Sequence, residues 1–292
     1  VVAISNPTVG RRRLGAELRR LRQECGLKSI EVAERLMVSQ PKISHLENGR
    51  RAIHPRDVLD LCAMYGVTDR QVINSLMQMA RESGGQGWWN RYGDLPDSVH
   101  IALESDAASI HTYEPLMIPG LLQTPAYAQA VIGETIPPLT VEQEGVRLKV
   151  RLRRQHRIYD PGRPLCLWVV LDESALRRVV GGPDVMREQL EHLNTLGGEP
   201  HITVQVLPHT AGAHPGLSGQ FSLLRSAEGP GAGVAGVVHL ERFTSDVHLE
   251  KPSDVQRYRQ IYDHLQARAL DPDGSHRFIT EAIKSYIDAD RP

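Results

Sequence analysis

Through Ala80 the apolar positions recur at helical spacing in five short bursts, each stopped by a glycine or a tight link. Leu14, Leu18 and Leu21 mark the first, and Gly26 ends it. Ile30, Val32, Ala33 and Leu36 mark the second. Met37 to Ser39 then leave about three residues before the third, the spacing of a helix-turn-helix. Read as a helix capped by Ser39, the third puts Ile43 and Leu46 inward and leaves Gln40, Lys42, Ser44 and His45 outward. Gly49 closes it as the residue most tolerant of a left-handed C′ position. Pro55 opens a fourth helix carrying Val58, Leu59, Leu61, Cys62 and Tyr65, which Gly66 ends. Asp69 starts a fifth through Ala80, with Val72, Ile73, Leu76 and Met79 on its apolar side. The pattern then breaks at residues 83–87, SGGQG, a flexible linker by composition.

Past the linker comes an aromatic cluster, Trp88-Trp89-Asn90-Arg91-Tyr92, and then a predicted helix over 98–113 with Ile101, Ala102, Ala108 and Ile110 inside. Thr124 as N-cap and Pro125 at the first position begin another helix, and 141–159 reads as a long basic one. Beyond Pro161 the period changes to that of strands, at 165–171, 201–207, 221–224 and 234–241. Helices over 173–180 and 183–196 join the first two strands, and helices over 253–270 and 275–287 close the chain. The expected class is α+β multidomain: an all-α five-helix domain over 1–82, a linker over 83–87, and a larger α/β domain over 88–292.

The composition, 40% hydrophobic and 24% charged over 292 residues, is that of an ordinary soluble protein. No apolar run is long enough to span a membrane and no signal-peptide core is present, so a cytoplasmic location is expected. Cys25, Cys62 and Cys166 are odd in number and widely separated, which argues against a disulfide framework and a clustered zinc site. The net charge of −1 conceals an asymmetry. Through Ala80 there are 13 Lys and Arg against 8 Asp and Glu, a net of +5, which leaves −6 for the rest. Positive charge thus gathers around the third helix, as binding to a polyanion requires.

The outward residues of that helix can all read base edges, and Arg50 and Arg51 follow where a phosphate backbone would pass. With Ser29 and Ser39 at the starts of the two helices, Gln40, Lys42, Ser44, His45, Arg50 and Arg51 form the candidate DNA-binding set. Arg11-Arg12-Arg13 either touches phosphate or is a solvated charge run. The tryptophan cluster either pins a linker to a domain surface or lines a pocket; Trp88, Trp89, Tyr92 and Gln123 are the candidate ligand or partner residues. Catalytic chemistry finds no frame. Gly216-Leu217-Ser218-Gly219 misplaces the second glycine of a nucleophile elbow, His209 and His214 lack a metalloprotease context, and no phosphate-binding glycine loop is present. No enzyme, metal or cofactor is expected.

The run from Gly26 to Val67 resembles the DNA-binding domain of xenobiotic-response-element (XRE) type, phage-repressor-like regulators. Ala33, Ser39 and the ending Ile43-x-x-Leu46-Glu47-Asn48-Gly49 carry the likeness. Further motifs are Gly87-Trp88-Trp89, Pro119-Gly120-Leu121-Leu122-Gln123-Thr124, Arg154-Gln155, Leu171-Asp172-Glu173-Ser174-Ala175-Leu176-Arg177 and Val206-Leu207-Pro208. These resemble the C-terminal domain of actinobacterial XRE regulators described as antitoxin-like; Ile118 and His239 depart mildly from that pattern. The resemblance implies a transcriptional regulator whose C-terminal domain engages a small partner protein encoded nearby. A small-molecule effector is the other input to consider, and an antitoxin-like role in neutralising the partner is the alternative main function. A homodimer on double-stranded DNA is expected, because one small helix-turn-helix makes too few base contacts for selectivity.

Overall fold

The computed structural model describes residues 9–49, 51–84, 88–93, 95, 98–162, 164–226, 236–243 and 246–288. Its contacts divide it into two compact units, Val1–Asp106 with Glu228–Gly233, and Ala107–Ala227 with Val234–Pro292. The division falls after Asp106, downstream of the glycine-rich 83–87 segment, of which 85–87 lie outside the described residues.

The first unit contains α1 (Val9–Glu24), α2 (Ser29–Arg35), α3 (Gln40–Glu47), α4 (Pro55–Met64) and α5 (Arg70–Gly84). A 3-10 turn, Trp88–Tyr92, and α6 (Ser98–Asp106) follow. Leu14, Leu18, Val32, Ala33, Ile43, Leu46, Val58, Leu61, Cys62 and Leu76 meet in one core. The helical spacing of these residues is what brings five short helices onto a common centre. Two residues expected inside are exposed: Ile30 at 52% and Leu59 at 43%. Ile30 lies in the first turn of α2, while Val32 and Ala33 make that helix's inward contact.

Helix ends here use left-handed residues to satisfy the last carbonyls. Gly26, Gly49 and Gly66 have φ of 73°, 65° and 71°. The turn between α2 and α3 does the same with Met37, at φ 52°: Met37 N–H donates to Glu34 O (3.1 Å) and Val38 N–H to Ala33 O (2.9 Å).

In the second unit a six-stranded sheet has the order β3-β2-β1-β4-β5-β6. The strands are β1 (Ala107–Glu114), β2 (Cys166–Asp172), β3 (Ile202–Leu207), β4 (Phe221–Ser226), β5 (Val237–Leu240) and β6 (Val247–Leu249). The first three are parallel and the others join antiparallel, with Tyr113 opposite Val170 and Phe221. Helices α7 (Pro125–Gly133) and α8 (Val141–Gln155) lie in the connection from β1 to β2. α9 (Glu173–Arg177) and α10 (Pro183–Leu196) lie in the connection from β2 to β3, and α11 (Pro252–Arg268) and α12 (Pro272–Asp288) end the unit. Tyr113, Val170, Leu207, Phe221, Val238, Tyr262 and Leu265 form a core between one sheet face and α11.

The helix expected over 98–113 stops at Asp106, and its second half is the central strand β1. Flanked by β2 and β4, this segment has both edges hydrogen-bonded, and its burial lacks a clean two-residue alternation. A strand covered on both faces loses the period that would distinguish it from a helix. β6, at three residues, is too short to show any period. The basic helix ends at Gln155 and α9 at Arg177, earlier than expected.

Candidate functional site

α3 is built with one side fixed and the other free. Ile43 is 1% exposed and Leu46 4%, whereas Gln40 and His45 are exposed and Lys42 and Ser44 half-buried. Ser39 occupies the N-cap position with extended backbone, but its hydroxyl makes no capping bond; its carbonyl instead accepts from Lys42 N–H at 2.9 Å. Gln40 Nε2 donates to Ser29 Oγ at 3.2 Å, so the starts of α2 and α3 share one surface. Ser44 Oγ accepts from Asn48 Nδ2 at 3.3 Å. Arg51 is exposed beyond the helix end; Arg50 lies outside the described residues, as do the side chains of Arg12 and Arg13.

A buried ion pair anchors the end of α3. Arg22 on α1 donates Nε to Glu47 Oε1 (2.6 Å) and Nη2 to Glu47 Oε2 (2.9 Å), with Nη1 on Leu27 O (2.6 Å). The carboxylate fork holds the Arg22 guanidinium in its charged form, raising its pKa against the opposing effect of burial. Neither side chain is among the candidate site residues read from the sequence, where Glu47 enters only as part of the motif that ends α3. Their positions carry a signal nonetheless: Arg22 lies four residues after Leu18, and Glu47 four after Ile43, so both fall on their helices' inner stripes.

The candidate ligand or partner residues fall in different places. Trp88, Trp89 and Tyr92 belong to the first unit, where the two indoles meet edge to face at 5.9 Å and Trp88 meets Tyr92 at 6.1 Å. Trp89 is buried and Trp88 half-buried. Gln123, in the second unit, is 1% exposed and has both ends of its amide engaged: Nε2 donates to Ile118 O (2.7 Å) and Oε1 accepts from Arg151 Nη1 (2.8 Å). Its amide braces a turn.

At the carboxyl ends of the parallel strands, Asp172 gathers polar groups that sequence reading left apart. Its Oδ1 accepts from Ser174 N–H (2.9 Å) and its Oδ2 from the Tyr113 hydroxyl (3.5 Å), while His209 and His214 each approach to 3.7 Å. His209 Nε2 also bonds Ser174 Oγ at 2.9 Å. Burial lowers the His214 pKa, and burial followed by the Asp172 charge raises that of Tyr113. Among the described residues no three His, Cys, Asp or Glu side chains converge on a metal-holding geometry. Burial of the Glu114 carboxyl, at the end of β1, pushes its pKa up to about 8, against the lowering effect of the Thr112 hydroxyl.

A family model described as a domain of unknown function (DUF5753) matches residues 98–281. The chain belongs to the DUF5753 family. In this DUF5753 chain a second model, described as a helix-turn-helix domain, matches residues 13–74, the segment that holds most of α1, all of α2 to α4 and the start of α5. The chain is therefore a DNA-binding regulator, with its helix-turn-helix ahead of the DUF5753 domain. No curated protein and no solved structure matches it. Among the described residues no helix is long and apolar enough to cross a membrane.

Proposed function

We propose that the chain is a sequence-specific transcriptional regulator in which α3 reads base edges in the major groove. One observation carries this reading: Ile43, Leu46 and Glu47 take up the inner side of α3, and Gln40 and His45 face solvent with no part in the core. The Gln40 amide suits adenine N6 and N7, and Lys42 can donate to guanine O6 and N7, with Ser44 and His45 alongside. The bond from Gln40 to Ser29 supports the reading, because it fixes a long side chain before DNA arrives. Ser29, Ser39, Arg50 and Arg51 take the sugar-phosphate chain. Two copies act together as a homodimer on paired half-sites. The C-terminal unit receives the signal, a small partner protein or a small-molecule effector. Lys149 and Arg153, exposed on α8, favour an acidic partner. In the antitoxin-like alternative, neutralising that partner is the main task.

Titration of Gln40→Ala, Lys42→Ala and Arg51→Ala at several salt concentrations, on a selected duplex and a scrambled one, tests the assignment. The first two should lose about 1–3 kcal/mol on the selected duplex only. Arg51→Ala should weaken both duplexes alike and reduce the salt slope by about one. Equal losses on both duplexes for Gln40→Ala and Lys42→Ala would mean that α3 reads no base.

A further inference from the structure

Base reading requires α3 to be held in one pose, and α1 grips it from behind with two groups of different kind. Gly15 and Arg22 lie seven residues apart on the α1 stripe that also carries Leu18. A glycine inside a helix is unfavourable relative to alanine, so its place there calls for a packing reason. That reason is a backbone contact. A Cβ added at Gly15 would lie 2.5 Å from Leu46 O and 2.6 Å from Glu47 O, where a carbon–oxygen contact needs about 3.3 Å. Both obstacles are main-chain atoms at the last turn of α3 and cannot rotate aside. Two turns further along α1, Arg22 grips the side chain of the same Glu47.

We propose that Gly15 and Arg22 are positioning residues for DNA reading. Gly15 sets how closely the end of α3 approaches α1, and Arg22 fixes the rotation of α3 about its own axis. The inference rests on the reading of α3 as the base-contacting helix. A methyl group at position 15 must push the last turn of α3 away by about 0.8 Å. Good hydrogen bonds span only about 0.5 Å in length, so bidentate base contacts are lost, whereas long side chains on phosphates can follow the shift.

The test uses the full chain. A preferred duplex is selected from a randomised pool with the wild type, and Gly15→Ala and the double variant Arg22→Met/Glu47→Leu are titrated on it and on a scrambled duplex. Failure of the wild type to select any duplex refutes base reading itself and so overturns the proposal with it. A folded Gly15→Ala should lose about tenfold to a hundredfold in affinity on the selected duplex, with scrambled-duplex affinity and salt slope unchanged. Unaltered preference in that variant overturns the proposal. If circular dichroism shows that Gly15→Ala does not fold, the double variant decides: lost preference supports the proposal and retained preference overturns it. Loss of the fold in both variants also overturns it, because the two groups would then hold the domain together without aiming α3.

Discussion

Replacing Glu47 with alanine should be among the most destabilising single changes in the first unit. The Arg22 side chain is 10% exposed and the Glu47 side chain 8%, so the pair is largely out of water. Without the carboxylate, Nε and Nη2 of Arg22 lose their acceptors, and among the described residues only Leu27 O remains, on Nη1. Breaking a buried pair by removing one partner costs about 3–5 kcal/mol, because the other charge stays buried without compensation. Against a domain stability of about 5–15 kcal/mol this is a large share. At roughly 4–8 °C per kcal/mol for a domain of this size, the midpoint should fall by more than about 12 °C. Removing both charges is a different perturbation. Arg22→Met/Glu47→Leu keeps most of the volume and removes the desolvation cost with the attraction, so its stability should lie near that of the wild type or above it. Differential scanning calorimetry of the full chain follows the transition of this unit in both variants. A fall of less than about 4 °C for Glu47→Ala, or an equal fall for the double variant, would refute the reasoning.

Met37→Gly should stabilise the first unit by up to about 1 kcal/mol in urea denaturation, since Met37 is 93% exposed and adopts a left-handed conformation that costs a side-chain-bearing residue about that much. Gln189→Leu removes the partners of Thr124 N–H and Leu122 C=O, both 2.7 Å from the Gln189 amide, and should cost the second unit roughly 2–5 kcal/mol in the same assay. Glu114 holds its proton to about pH 8 when folded, but only to about 4.3 when unfolded. Its stabilising share is therefore complete below about pH 4.3 and lost as pH rises through about 8. Glu114→Gln should thus gain stability relative to the wild type across that window; parallel pH profiles of the two proteins check it, because every group common to both cancels in the difference.

The first unit was legible because its chemistry is local. Short amphipathic helices announce their inner faces by spacing, and glycines at the ends announce their stops, so Val32, Ala33, Ile43, Leu46, Val58 and Leu61 are buried as the pattern requires. What spacing does not report is how helices touch. The contact between Gly15 and the carbonyls of α3, and the fork between Arg22 and Glu47, join residues 25 or more positions apart. A glycine and two charges carry no hydrophobic signature.

The second unit hid more, and for a reason that bears on where its site is to be sought. The turn over 118–124 has motif residues of the kind a binding loop would use, yet its polar groups are consumed by the fold. Gln155 Nε2 donates to Gly120 O (3.0 Å) and Gln123 O (2.8 Å), the Tyr127 hydroxyl accepts from Ile118 N–H (3.2 Å), and Gln189 bridges Leu122 O and Thr124 N–H. A buried irregular turn must pair its backbone groups or lose stability, and glutamines from α8 and α10 supply those pairs. Sequence alone cannot separate such bracing from recognition, because both demand polar side chains at fixed positions. Accessibility separates them: Gln123 and Gln189 are buried, while the polar groups around Asp172 include His209, whose side chain is 57% exposed, and lie where parallel strands end. In open α/β sheets ligands bind at the carboxyl ends of strands, so variants of His209 and Ser174 test effector sensing more directly than variants of the turn.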